Sequence, residues 1–165
     1  MPIAQRLAEI ATFQRGPQDL PYSPTALAVV IAIAIGVNLA AIALSPLNSS
    51  PWLTLAIFFG YTAAFIDGVL QLRGLSQRRL QTLLAVFGTD IVIVAVQILA
   101  LGVGDWDAPT PLMLTVFVLL LGWQLSVITH ILRHALTCGL GQAAAWTLAY
   151  FVGTELLMML LTGSQ

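Results

Sequence analysis

Charge is scarce in this sequence of 165 residues, because Asp, Glu, Lys and Arg together make up only 8% of it. A soluble domain carries about 25% of such residues, so this chain cannot cover a water-exposed surface with charge. The net charge is −1, and all six basic residues are arginine. These deficits exclude a nucleic-acid-binding protein, a disordered protein and an ordinary cytosolic enzyme.

Cysteine is also nearly absent. Cys138 is the only one, which excludes an intramolecular disulfide and a metal site made of thiolates alone. The glycine-rich loops of nucleotide-binding proteins and the serine elbow of hydrolases are missing too. Apolar residues dominate instead, at 59% of the chain, with a mean hydropathy of +0.95. This composition predicts a membrane protein with several spans.

Five apolar runs are each long enough to cross a hydrocarbon core, which takes about 20 helical residues. They cover residues 25–44, 52–72, 80–103, 111–132 and 141–161. Their hydrophobicity is continuous, whereas the strands of a membrane barrel alternate, so helices are favoured. We therefore predict an all-α bundle of five transmembrane helices within residues 25–165.

Residues 1–24 have a different pattern, in which apolar side chains recur at helical spacing. The positions are Ile3, Leu7, Ile10 and Phe13. This spacing predicts a short amphipathic helix on the cytoplasmic side, lying in the membrane interface, with a frayed terminus as the alternative. A proline-rich connector then leads into the first span.

The arginines fall in three segments that five spans would place on one side of the membrane. They are Arg6, Arg15, Arg73, Arg78, Arg79 and Arg133. The positive-inside rule then puts the N-terminus in the cytoplasm, and the acidic loop with Asp105 and Asp107 outside together with the C-terminus. Arg73, Arg78, Arg79 and Arg133 are expected to meet anionic lipid at the cytoplasmic face. The arginine-only, Ala- and Leu-rich composition is typical of GC-rich bacterial genomes, which suggests a bacterial inner membrane.

Small residues recur at every fourth position in three spans. They are Ala28, Ala32, Gly36 and Ala40 in the first, Gly60, Ala64 and Gly68 in the second, and Gly141, Ala145, Ala149 and Gly153 in the fifth. Such stripes let helix backbones approach closely in lipid. They indicate helix packing, either within this bundle, which is the favoured interpretation, or against another subunit.

Five polar residues within the spans are candidates for a functional role. They are Asn38, Asp67, Asp90, Gln97 and Glu155. A carboxyl group at this depth indicates a proton or ion site, or a protonated group that joins helices by hydrogen bonds. We favour the second interpretation, with Glu155 bonded to Asn38 or Gln97. Arginine side chains from the basic loop at 73–79 are expected to extend toward Asp67 and Asp90.

His130 and His134 share one helix face at the cytoplasmic end of the fourth span. This spacing can chelate a metal, but a third ligand would have to come from Asp67, Asp90 or Cys138. A haem held between helices would need histidines on two spans. No metal, haem or other cofactor is therefore predicted, and the pair is interpreted as hydrogen-bonding groups near the interface.

Two segments resemble the Yip family of five-span membrane proteins, which is known from vesicle trafficking and also occurs in bacteria. The first, residues 73–88, reads RGLSQRRLQTLLAVFG, with a Q-T pair that opens the third span; the second, residues 123–145, covers the fourth span, a short turn and the fifth span. The chain departs from the family at Arg73-Gly74, where two glycines are usual, and at Gly88-Thr89-Asp90, where tyrosine and proline are usual. The resemblance implies a non-enzymatic membrane adaptor and identifies no catalytic residue.

These observations favour a non-enzymatic accessory subunit of a larger membrane assembly, whose partners are other membrane-protein subunits and lipid. Two alternatives remain open at this point. One is a small transporter or a proton or ion pathway that uses the intramembrane carboxylates. The other is a metal- or haem-binding membrane protein that uses His130 and His134.

Overall fold

The computed structural model describes residues 2–44, 50–101 and 108–162, in which the chain is helical. The helices are α1 (Ile3–Ala11), α2 (Pro24–Ala43), α3 (Pro51–Leu72), α4 (Arg79–Leu101), α5 (Pro111–Leu136) and α6 (Leu140–Thr162). Each of α2 to α6 is long and apolar enough to span a membrane. The predicted all-α fold with five spans is confirmed, and the chain is a multi-pass membrane protein. The acidic loop with Asp105 and Asp107 lies outside the described residues.

Three spans begin at a proline, namely Pro24, Pro51 and Pro111. Proline suits the first turn of a helix, because the N–H that it lacks would have no partner there. Ser23 caps α2 by accepting a hydrogen bond from the backbone N–H of Ala26 at 3.2 Å, and Thr110 caps α5 in the same way.

The fourth predicted span is longer than expected, because α5 continues past residue 132 to Leu136. Ala135 and Leu136 are buried, so the additional turn extends the packed face of the helix. The helix ends where Thr137 adopts a left-handed conformation with φ of 48°. His134 therefore belongs to the helix.

The centre of the bundle is α4, which packs against α1, α2, α3 and α5. Every residue from 82 to 90 is buried. Thr82 and Thr89 fit in this apolar environment because each hydroxyl donates to a backbone carbonyl four residues earlier, at 2.9 and 2.8 Å. This stretch includes the end of the Yip-like segment, and α4 belongs to the most buried of the described spans.

The predicted N-terminal helix is present as α1, and one side of it packs against protein, while its location in the membrane interface stays a prediction. Leu7 and Ile10 are buried, and Leu7 contacts α4 at Gly88, where a side chain would collide with it. Trp123 of α5 donates from Nε1 to the carbonyl of Ala11 at 2.9 Å. The apolar stripe is thus covered in part by α4 and α5, whereas Phe13 at its end is 46% exposed.

Aromatic side chains join α3 to α6. The ring centroids of Tyr61 and Tyr150 lie 5.8 Å apart in a stacked arrangement, and Phe65 lies 5.4 Å from Tyr150. The hydroxyl groups of Tyr150 and Thr62 are 2.8 Å apart, which gives this buried tyrosine its hydrogen-bond partner. Gly153 lies against the Tyr61 hydroxyl, where a larger residue would collide with it.

Candidate intramembrane polar site

A hydrogen bond between Asn38 and Asp90 links α2 to α4. Asp90 lies midway along α4 and is 7% exposed. Asn38 donates from Nδ2 to Asp90 Oδ2 at 2.8 Å and to the carbonyl of Ala34 at 2.9 Å. Both amide hydrogens of Asn38 are thus used, and its Oδ1 keeps its capacity to accept.

The predicted partners of these groups need two corrections. Asn38 was expected to pair with Glu155. It pairs with Asp90 instead, because the face of α2 that packs on α4 carries the Asn38 amide. No arginine pairs with Asp90 among the described contacts, since Asp90 lies roughly 16 Å along the helix from Arg79, at about 1.5 Å per residue. The expected contact with Asp67 is confirmed, because Arg79 lies 3.2 Å from its Oδ1.

A cavity of about 400 Å³ opens between α2, α3, α5 and α6, next to this pair. Its polar lining residues are Asn38, Thr54, Gln124, Tyr150, Thr154 and Glu155, and the rest of its wall is apolar. Glu155 is exposed and lines the cavity, whereas Asp90 lies behind Asn38. The structure therefore brings two predicted polar residues, Asn38 and Glu155, to one cavity and places a third, Asp90, next to it.

The wall of the cavity contains more hydrogen-bond acceptors than donors, although the side-chain amide of Gln124 can donate. The Thr154 hydroxyl already donates to the Tyr150 carbonyl at 2.9 Å. The oxygen of Thr54 is buried and has no partner within the described part of the chain. Both N–H groups of Asn38 already donate hydrogen bonds, and an ionised Glu155 carboxylate has no donor. The residues that line the cavity include no arginine and no histidine.

The other predicted polar residues lie elsewhere. Asp67 also accepts a hydrogen bond from Gln71 at 2.6 Å, near the C-terminal end of α3. Gln97 is half-buried on α4, toward the opposite end from Arg79. Neither residue lines the cavity.

The basic residues gather at the other end of the bundle. Arg78 donates to the carbonyls of His134 and Ala135 at 3.2 and 3.0 Å, and Arg73 donates to Gln142 at 3.1 Å. A second cavity, of about 320 Å³, is lined there by side chains that include Arg133, Ser126 and Thr129.

The two histidines are neighbours but lack further metal ligands. Their ring centroids are 4.5 Å apart, and Nε2 of His130 lies 2.8 Å from the carbonyl oxygen of Arg15. This bond makes Nε2 the donor, because a carbonyl only accepts. In residues 2–44, 50–101 and 108–162 there is no group of three His, Cys, Asp or Glu that could hold a metal. Cys138 is half-buried between α5 and α6.

The small-residue stripes lie mostly on the outside of the bundle. On α2, Ala28, Ala32, Gly36 and Ala40 are all exposed. Exposed stripe residues on α3 and α6 are Gly60, Ala64, Gly141, Ala145 and Ala149, whereas Gly68 and Gly153 are half-buried. Gly153 is the stripe residue at which two helices approach closely within the bundle, because Tyr61 of α3 lies against it. The favoured intramolecular interpretation therefore does not describe α2.

Sequence reasoning missed the Asn38–Asp90 pair. The signal was present, because counting along the third span places Asp90 at its middle, where a carboxyl group requires a partner from another helix.

No protein-family model, curated protein or solved structure matches this chain. A proposal about its function therefore depends on the structure, and the two features that bear on it are the exposed stripe of α2 and the polar cavity.

Proposed function

We propose that this chain is a non-enzymatic accessory subunit of a larger assembly in the bacterial cytoplasmic membrane, and that it binds its partner through α2. The observation that carries the proposal is the exposure of Ala28, Ala32, Gly36 and Ala40 along one side of that helix. Lipid offers no hydrophobic drive for helix association, so close packing of small residues is what holds transmembrane helices together.

The rest of the α2 surface fits a helical partner. Val29 and Ile33 are 54% and 49% exposed, and they stand directly beside Ala28 and Ala32. Val and Ile have one preferred rotamer in a helix, so they lose little side-chain entropy when a partner packs against them. Nothing lies within 4 Å of a Cβ placed on Gly36, which leaves that position open to another backbone.

The orientation is part of the same proposal. With the N-terminus in the cytoplasm, the arginines of the α3–α4 loop and Arg133 face the cytoplasmic leaflet, which attracts basic residues. Arg133 is exposed beside the second cavity, where Ser126 and Thr129 supply hydroxyl groups. This end of the bundle suits contacts with anionic lipid headgroups. The Yip-like segments, whose family contains membrane adaptors, are consistent with this role.

Purification from native membranes in mild detergent tests the α2 interface. The unmodified chain is expected to retain partner subunits, and the Gly36→Leu variant is expected to lose them because leucine keeps the backbones apart. Gly122→Leu is the matched control, since Gly122 is also an exposed helical glycine with open space around it but lies on α5. A monodisperse monomer from the unmodified chain, or equal retention by both variants, would contradict the proposal.

A second candidate function is a small transporter or a proton or ion pathway, and the position of Asp90 favours it. The carboxyl of Asp90 lies at mid-helix behind Asn38, next to a cavity lined by Glu155. Two carboxylates on different helices provide successive sites for a proton. Proteoliposomes that contain the chain are expected to show a proton flux that depends on pH and that Asp90→Asn abolishes. The absence of flux in the unmodified chain would eliminate this candidate.

A further inference from the structure

We propose that the cavity between α2, α3, α5 and α6 binds an organic ammonium ion that carries a compact apolar group. The ammonium would lie near Glu155 and Asn38, and the apolar group would fill the rest of the space. This site is separate from the exposed face of α2, and binding there does not require transport across the membrane.

Charge is the first argument. Glu155 lines the cavity, and Asp90 lies directly behind Asn38. Arg78 and Arg79 already have partners at the far end of α4, and Arg6 donates to the carbonyl of Asp19 at 2.6 Å. A carboxylate in an apolar solvent is costly unless a cation compensates it, so the cavity favours a positively charged occupant.

Hydrogen-bond capacity is the second argument. Asn38 Oδ1 and the Glu155 carboxylate accept hydrogen bonds, and the buried oxygen of Thr54 has no partner in the described structure. An unsatisfied buried polar atom is a cost that a donor would remove. An ammonium group presents only donors, so it matches a wall in which acceptors outnumber the donors of Gln124 and Thr54.

The shape and the apolar wall determine the rest of the ligand. Phe58 and Phe151 line the cavity, and an ammonium is attracted to the face of an aromatic ring. A volume of about 400 Å³ falls within the range of small-molecule sites, about 300–1,000 Å³. A bare inorganic cation would need about six or more oxygen ligands, which this mostly apolar wall does not supply.

A matched pair of probes tests the proposal with the full chain in nanodiscs of zwitterionic lipid. Adamantan-1-amine is a compact ammonium at pH 7, and adamantan-1-ol is its neutral counterpart. We expect saturable binding of the amine, measured by calorimetry against empty nanodiscs, and binding of the alcohol that is at least about tenfold weaker. Glu155→Gln is expected to remove most of this difference.

Three further variants complete the test. Asp67→Asn removes a carboxylate outside the cavity and is expected to leave binding unchanged. Leu121→Trp fills the cavity and is expected to abolish binding of both probes. If Glu155→Gln fails to fold, Thr54→Val removes one acceptor and is expected to weaken the amine alone. Three results would each overturn the proposal: no saturable binding, full affinity for the amine in Glu155→Gln, or equal binding of amine and alcohol. Equal binding would indicate a pocket for an acyl chain.

Discussion

Between α2 and α4, Asn38 and Asp90 provide each other with a hydrogen-bond partner. The sequence identified both as intramembrane polar residues, yet pattern alone could not pair them, because pairing depends on which faces of α2 and α4 meet. By depth, Glu155 was an expected partner of Asn38. The structure selects Asp90 because α2 packs principally on α4. Residue identity was thus predictable here, whereas residue contact was not.

A double-mutant cycle measures this pair. Asn38→Leu leaves the buried Asp90 carboxyl without its donor and is expected to destabilise the chain by about 1–3 kcal/mol. Asn38→Leu combined with Asp90→Leu is expected to cost less than the sum of the single changes, because neither polar group is then left unpaired. Reversible unfolding in detergent provides the free energies. Strict additivity would show that the hydrogen bond contributes nothing to stability.

At the scale of helices, length and continuous hydrophobicity predicted the five spans, since crossing a bilayer imposes a minimum length that composition reveals directly. The partner of an amphipathic helix is harder to predict. Ile3, Leu7 and Ile10 marked an apolar stripe on α1, but a stripe looks the same whether lipid or protein covers it. In the structure, Gly88 provides the gap in α4 that admits Leu7.

Docking of α1 can be tested by proteolysis in detergent. Ile10 is fully buried, so Ile10→Ser places a hydroxyl in an apolar contact and is expected to release the helix. Trypsin should then cleave at Arg6 and Arg15 several times faster, while the spans stay protected. Gln14→Ala, on an exposed position nearby, is the control. An unchanged cleavage rate in Ile10→Ser would mean that α1 is held by other contacts.

Contact between α3 and α6 depends on a glycine. Gly153→Ala places a methyl group against the Tyr61 hydroxyl, so the Tyr61 ring must shift from its stacked position on Tyr150, and a loss of about 1–3 kcal/mol is expected. Gly60→Ala is the matched control, because a Cβ there meets nothing within 4 Å. Thermal denaturation of both variants makes the comparison. Equal stability of the two would show that α3 and α6 separate at no cost.

For the molecule as a whole, the distribution of arginine predicts orientation, and the one cysteine can report it. Cys138 lies in the segment between α5 and α6, and the distribution of arginine predicts that this segment faces the cytoplasm. A membrane-impermeant maleimide is expected to label Cys138 in inverted vesicles but not in intact cells. Thr110→Cys in a Cys138→Ser background is expected to give the reverse result, because Thr110 precedes α5. Labelling of both positions from the same side would refute the five-span topology.

The hydrogen bonds from Trp123 to Ala11 and from His130 to Arg15 have a consequence for biosynthesis. They join positions separated by more than 110 residues along the chain. The ribosome releases α1 before it has synthesised α4 and α5, so α1 stays undocked until the helices that it packs against are present. Docking of α1 therefore cannot precede the synthesis of α4 and α5, and a bulky fusion at the amino end would obstruct a late step of assembly.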